Sequence, residues 1–215
     1  MKIFYWSPFL SNIATIDAVL KSIKSITSFD KKSEFEPCII DAVGEWAQKT
    51  DKIEKINIKK LYQKNIYTHL PKGGYFQSRV SQSLIFIMSF IRLKKLIFKE
   101  KPEYLIAHLI ISLPLLLFSI YNFESKLIIR ISGTPKLNFV RKFFWKIFSK
   151  NIYKVTCPTI SAYDNLKNLK IFPDSKLEIL YDPIISVKKI NKKKLEEIDE
   201  KFRNQDFLLG IGRLT

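Results

Sequence analysis

The sequence predicts an α/β fold, a doubly wound and mostly parallel sheet with helices on both faces, and two observations predict it. Short apolar runs alternate with longer runs of helical period along most of the chain. The 215 residues are 47% hydrophobic, enough for a substantial core.

Each element follows from its own pattern. "KIFYWS" reads as a first strand, and "IATIDAVLKSIKSI" places Ile13, Ile16, Val19, Leu20 and Ile23 at helical spacing. "FEPCIIDAV" is a strand entered through Pro37, and "IEKINIKKLY" holds a further short one. "SRVSQSLIFIMSFIRLKKLIFKEK" is a long helix whose basic last turn suits the negative end of the helix dipole. Then come "EYLIAHL" as strand, "SLPLLLFSIYNF" as helix, "KLIIRIS" as strand, "NFVRKFFWKIFSK" as helix and "IYKVTCP" as strand. "TISAYDNLKNL" is a short helix, and "LEILYDP" is a last strand with a proline stop.

The run from Tyr104 to Tyr121 carries no formal charge and is long enough to span a bilayer. His108 and Pro114 inside it, and the turn "KPE" ahead of it, favour a strand followed by a buried helix. From Ile185 the composition turns to "SVKKINKKKLEEIDEKFRNQ", a solvated helix or linker. The expected organisation is a first domain over 1–185, a linker over 186–206, and the opening strand of a second domain over 207–215.

Lysine and arginine total 37 against 20 acidic residues, a formal charge of +17. Such a surplus points to nucleic acid, an acidic membrane surface or a phosphorylated substrate; a lysine-rich proteome gives the same excess. Cys38 and Cys157 stand far apart, which argues against a disulfide framework and for a reducing compartment. His69 and His108 are isolated, so no metal site is expected. "MKIFYWSPFL" is too short and too polar afterwards for a secretory signal, and Met1 reads as a cytosolic start.

In sheets of this kind ligands sit beyond the carboxyl ends of the strands, so the loops there are where chemistry is sought. His108 ends a central strand, where it is either a ligand contact or a hydrogen-bonded core residue. In "RISGTP", Ser132 and Gly133 make a small turn that a ligand can approach, while Arg130 within the strand needs a partner. "LPKGGYFQSR" sets Lys72 and Arg79 around Gly73 and Gly74, a loop for an acceptor or sugar or else an ordinary turn before a helix. In the last residues, Gly212 and Arg213 offer backbone amides and a guanidinium together, which suits a diphosphate.

On the helix "NFVRKFFWKIFSK", Phe139, Val140, Phe143, Phe144 and Ile147 share one face, with Arg141, Lys142, Trp145 and Ser149 opposite. Trp145 on an outward basic face suits contact with an anionic membrane; a core helix with one exposed tryptophan reads equally well. No phosphate-binding lysine loop, no G-x-S-x-G elbow, no Cys-x-x-Cys and no G-x-G-x-x-G after the first strand is present.

Taken in order, "PEYLIAH", "RISGTP" and "LLGIGRLT" resemble the amino-terminal half of a GT-B glycosyltransferase of the family 4 type, over essentially the whole chain. The resemblance implies a Rossmann-like acceptor-side domain followed by the start of a truncated donor domain. It implies a retaining, hexosyltransferase-type enzyme that uses a nucleotide-sugar, UDP- or GDP-linked, as donor and has no prosthetic group. His108 matches the family histidine near the reacting centre, and Arg213 the arginine that steadies the donor diphosphate. The family often carries a glycine pair in its first loop; here "SPFLSNIA" offers Ser7, Ser11 and Asn12 instead. A lipid-linked or envelope polysaccharide acceptor at the inner face of the cytoplasmic membrane fits the basic surface and exposed aromatics. This chain alone is expected to be inactive. The alternatives are a basic nucleic-acid-binding module, for which no recognition signature appears, and a non-enzymatic α/β binding domain.

Overall fold

The computed structural model describes residues 1–11, 14–52, 56–133, 135, 137–182 and 187–197. The chain divides into two compact units, Met1–Pro183 and Ile184–Thr215. Seven strands build the first: β1 (Lys2–Trp6), β2 (Glu36–Asp41), β3 (Asn57–Lys60), β4 (Tyr104–Ala107), β5 (Lys126–Arg130), β6 (Ile152–Cys157) and β7 (Leu177–Ile179). They form one sheet in the order β3-β2-β1-β4-β5-β6-β7, every neighbouring pair parallel. The strand order reverses between β1 and β4, which makes their carboxyl ends the switch point where such sheets open a crevice.

Five helices cross between these strands: α1 (Ala14–Phe29), α2 (Gly74–Glu100), α3 (Ser112–Ile120), α4 (Phe139–Phe148) and α5 (Ile160–Leu169). α1 covers one face, burying Ile16, Val19, Leu20 and Ile23 against Ile3, Tyr5 and Ile39. On the other face α2, α3, α4 and α5 close over Phe4, Trp6, Ile40, Leu105, Leu127 and Val155. Each such aliphatic side chain taken from water contributes roughly 1.5–3 kcal/mol, which is why the alternating pattern selects two covered faces. Ile13 lies outside the described residues.

The uncharged run resolves into β4 and α3, and among the described residues no helix is long and apolar enough to cross a membrane. α2 begins at Gly74, ahead of the expected start, and its buried residues Ser81, Ile85, Ser89, Leu93 and Ile97 recur every fourth position. That stripe is narrow, so Ile87 and Ile91 on the same helix remain 69% and 60% exposed. In the second unit the described helix is α6 (Val187–Lys194), with a lysine-rich last turn. The expected strand over 207–215 lies outside the described residues.

α4 corrects the sequence reading. Trp145 is buried, with its Nε1 3.5 Å from Ser112 Oγ and its ring 6.0 Å from that of Phe172. Phe139, Val140, Phe143 and Ile147 face outward instead. The helix has apolar residues nearly all round, and the interior takes the face carrying the largest ring, with Phe144 and Phe148 packed beside it. Trp145 is therefore not a membrane-facing residue.

Candidate functional site

The turn after β2 braces the loop after β1 from behind, through Tyr67. Asp41 ends the strand, and its Oδ1 accepts from the Gly44 amide at 2.7 Å; the Glu45 carboxylate accepts from the Ala42 and Val43 amides at 3.1 and 2.8 Å. Gly44 sits at φ +96°, and a Cβ there would lie 2.7 Å from Asn65 Oδ1, so the turn requires glycine. Burial, a hydrogen bond to Asp41 and the charge of Asp41 raise the Glu45 carboxyl well above its ordinary value. The Val43 carbonyl then receives the amides of Ile66 and Tyr67, both at 2.8 Å.

Tyr67 in turn donates to the Leu10 carbonyl at 2.9 Å, tying down the loop after β1. Phe9 in that loop is buried edge-on against Trp46, with ring centroids 5.1 Å apart. Where the resembled family often has a glycine pair, this chain holds its first loop by an aromatic anchor.

A cleft of about 960 Å³ lies at the switch point. Pro8 to Ser11 after β1, His108 to Ser112 after β4, and Arg130 to Gly133 at the end of β5 line it, with α2 and α4 closing the sides. Ile110, a β-branched residue at φ 47°, turns the chain sharply within the β4 loop. Trp6 Nε1 donates to its carbonyl at 3.4 Å, which helps hold that turn in place.

His108 is buried at 7% exposure in the wall of the cleft, and neither ring nitrogen has a protein partner among the described residues. Burial foremost, and then the Arg130 charge, push its pKa down to about 3. The imidazole is therefore neutral at physiological pH, with one nitrogen able to donate and the other to accept. His108 thus lines the cleft with the hydrogen-bonding capacity of both nitrogens unused by the protein among the described residues.

Arg130 is buried and paired, as its place in a strand demands. Its guanidinium bonds Asp182, with Nε 3.1 Å from Oδ1, and reaches Thr156 Oγ1 at 3.3 Å. Breaking such a pair by removing one partner costs about 3–5 kcal/mol.

Of the candidates read from the sequence, Ser11, Arg79, His108, Ser132, Gly133, Arg141 and Trp145 all line this cleft. Ser132 Oγ accepts from Thr15 Oγ1 at 3.4 Å. Ser7 is fully buried behind the loop, its hydroxyl unpartnered among the described residues. Lys72 lies over the Tyr67 ring, 3.4 Å from its centroid, and does not line the cleft. Gly73 and Gly74 start α2, the latter at φ +70°, also off the cleft. Lys142 is exposed on α4. Asn12, Gly212 and Arg213 lie outside the described residues. The sequence reading missed Gln82, Ser83 and Ser112 in the lining. Their only sequence signal is a polar residue interrupting an apolar helix. Among the described residues no three His, Cys, Asp or Glu side chains gather to hold a metal ion.

No protein-family model and no curated protein sequence matches this chain. Solved structures do. A UDP-GlcNAc 2-epimerase from Neisseria meningitidis, bound to UDP-GlcNAc, is 14% identical with a TM-score of 0.58, over 91% of this chain and 50% of its own. The lipopolysaccharide outer core galactosyltransferase WaaB, in its apo form, is 9% identical with a TM-score of 0.56, over 84% of this chain and 45% of its own. A glycosyltransferase from Rickettsia africae is 15% identical with a TM-score of 0.54, over 89% of this chain and 48% of its own. The chain spans about half the length of these structures. Its fold is the Rossmann-like α/β fold of GT-B proteins, consistent with the N-terminal half of that architecture.

Proposed function

We propose that this chain is the acceptor-side half of a nucleotide-sugar-dependent glycosyltransferase. The single observation that carries the reading is the buried, neutral, unpartnered His108 in a cleft at the switch point of the sheet. The reaction separates a nucleoside diphosphate from an anomeric carbon, with retention at that carbon. His108 would donate to or accept from a sugar hydroxyl beside the reacting centre, and Ser132 and Ser11 offer further hydroxyls in the same cleft. Charge developing on the leaving diphosphate needs fixed cations or amides, the part that Arg213 and Gly212 play by resemblance. The donor is a UDP- or GDP-sugar, a class represented among the fold neighbours by the UDP-GlcNAc of the epimerase complex.

We infer a lipid-linked or envelope polysaccharide acceptor, reached from the inner face of the cytoplasmic membrane. WaaB, a neighbour by fold, is a lipopolysaccharide outer core galactosyltransferase. On this chain α4 turns Phe139, Val140 and Phe143 outward beside the exposed Lys142 and Lys146, the residue pattern of a helix resting in an anionic interface. This outward apolar face takes the part that the sequence reading gave to Trp145.

The test is transfer of radiolabelled sugar from UDP- and GDP-sugars to envelope lipid extract, using the longest reading frame that contains these residues. Transfer is expected there and not from the 215-residue chain alone. His108→Ala should lower kcat at least about 100-fold, the scale of losing a hydrogen bond made near the reacting centre. Wild-type rates in that variant would remove His108 from the chemistry. Preference for duplex DNA over anionic vesicles at matched charge would instead favour the nucleic-acid reading.

A further inference from the structure

Two arginines line the cleft, and among the described residues no carboxylate lines it with them. Arg79 comes from the start of α2 and Arg141 from the first turn of α4, and both line the same cavity. Among the described residues no Asp or Glu lines it, and neither arginine has an ion pair. The contacts they make are with neutral groups. Arg79 Nη1 donates to Gln82 Oε1 at 3.2 Å, and its guanidinium lies 4.9 Å from the Tyr75 ring centroid. The Arg141 guanidinium lies 5.9 Å from the Trp145 ring. Burial foremost, and then the nearby Arg79 charge, press Arg141 below its ordinary value.

The third cleft arginine, Arg130, is already neutralised by Asp182, so the unbalanced charge belongs to this pair. A second, independent feature points to a ligand in the same space: His108, more than nine-tenths buried, lines the cleft with both nitrogens unpartnered among the described residues.

We propose that Arg79 and Arg141 form an anion clamp for a phosphate or diphosphate carried by the sugar acceptor. The assignment to an acceptor rests on the acceptor-side reading above. Guanidinium forks match phosphate oxygens bidentately, and two of them from different helices grip an anion that one alone would leave rotating. The neutral aromatics beneath them keep the forks extended without quenching their charge. Hydroxyls of the acceptor sugar then fall towards Ser132 and His108 deeper in the same cleft.

The probe is inorganic pyrophosphate without divalent metal, titrated calorimetrically into the 215-residue chain. Arg79→Gln and Arg141→Gln should each weaken binding at least about tenfold, since each removes a charge-assisted pair. Lys95→Gln, exposed on α2 and off the cleft, should leave it unchanged. Arg79→Lys and Arg141→Lys keep charge and stem while losing the fork, so they report the clamp should a glutamine variant fail to fold; intermediate weakening is expected. No binding to the wild type, or equal binding by all variants, overturns the clamp.

Competition then identifies the source of the phosphate. Displacement of pyrophosphate by phosphatidylcholine vesicles carrying polyprenyl phosphate marks a lipid-linked acceptor, and displacement by glucose 1-phosphate marks a soluble one. Displacement by neither, or by UDP alone, overturns the assignment to an acceptor. None of these measurements uses a donor sugar. An intact clamp with no transfer would therefore sink the enzymatic reading alone, and transfer without a clamp this inference alone.

Discussion

His108 and Glu45 are both buried titratable groups, and their shifts have opposite consequences for stability. His108 is depressed to about 3, so the stability of its neutral burial is complete above its ordinary value of about 6.5 and is lost as pH falls towards 3. Glu45 is raised, so its contribution is complete below about 4.3 and is lost as pH rises through the folded value. Between about 4.3 and 6.5 the two slopes oppose each other. Thermal midpoints measured across that range should show it. His108→Phe is expected to flatten the acid limb, and Glu45→Gln the alkaline limb, each leaving the other unchanged. An unchanged slope between about pH 4.3 and 6.5 in His108→Phe would mean the imidazole is solvated in the folded chain, since depressed carboxylates such as Glu100 act below that window.

α4 shows how an element divides its residues between two jobs. Its N-cap is Asn138, whose side chain accepts from the Arg141 amide at 2.9 Å and so fixes where the helix begins. From that start two turns bring Trp145 to Ser112 at the start of α3, while Phe139 and Phe143 stack outward at 6.4 Å. Trp145→Ala should therefore cost about 3–5 kcal/mol in chemical denaturation, the price of a cavity the size of a buried aromatic. Phe143→Asp should change stability by less than about 1 kcal/mol yet weaken sedimentation with anionic vesicles several-fold. Unchanged sedimentation would take α4 out of the membrane account. The helical period was legible in the sequence. The direction the helix faces was not, because a helix apolar on nearly every side offers more than one way in.

Over the whole molecule, 37 basic residues against 20 acidic ones give every anionic partner an electrostatic gain. That gain alone identifies none of them. Two contributions can be separated by salt. Attraction between surface lysines and an anionic vesicle is screened over about 8–10 Å at 0.1–0.15 M salt, whereas apolar insertion is not. Raising salt from 0.05 to 0.5 M should weaken vesicle binding about tenfold or more in the wild type and leave a residual that Phe143→Asp abolishes. A complete loss at high salt in the wild type would mean that charge alone holds the protein to the membrane.

The sequence by itself determined the α/β class, the order of the elements and the loops in which chemistry had to be sought. Local period and turn residues carry that information, and the short apolar runs around Trp6 and Leu105 are buried as strands of a covered sheet. Only the tertiary structure decided that His108, Arg79 and Arg141 share one cleft while Lys72 and Gly73 stand outside it. Those side chains belong to the loop after β4, to α2 and to α4, and are brought together by parallel crossovers. It likewise decided that Phe9 anchors the first loop and that Arg130 is neutralised by Asp182. Contacts between residues distant in sequence leave no local pattern. They are set by how each helix packs on the sheet, and packing is a property of all the faces at once.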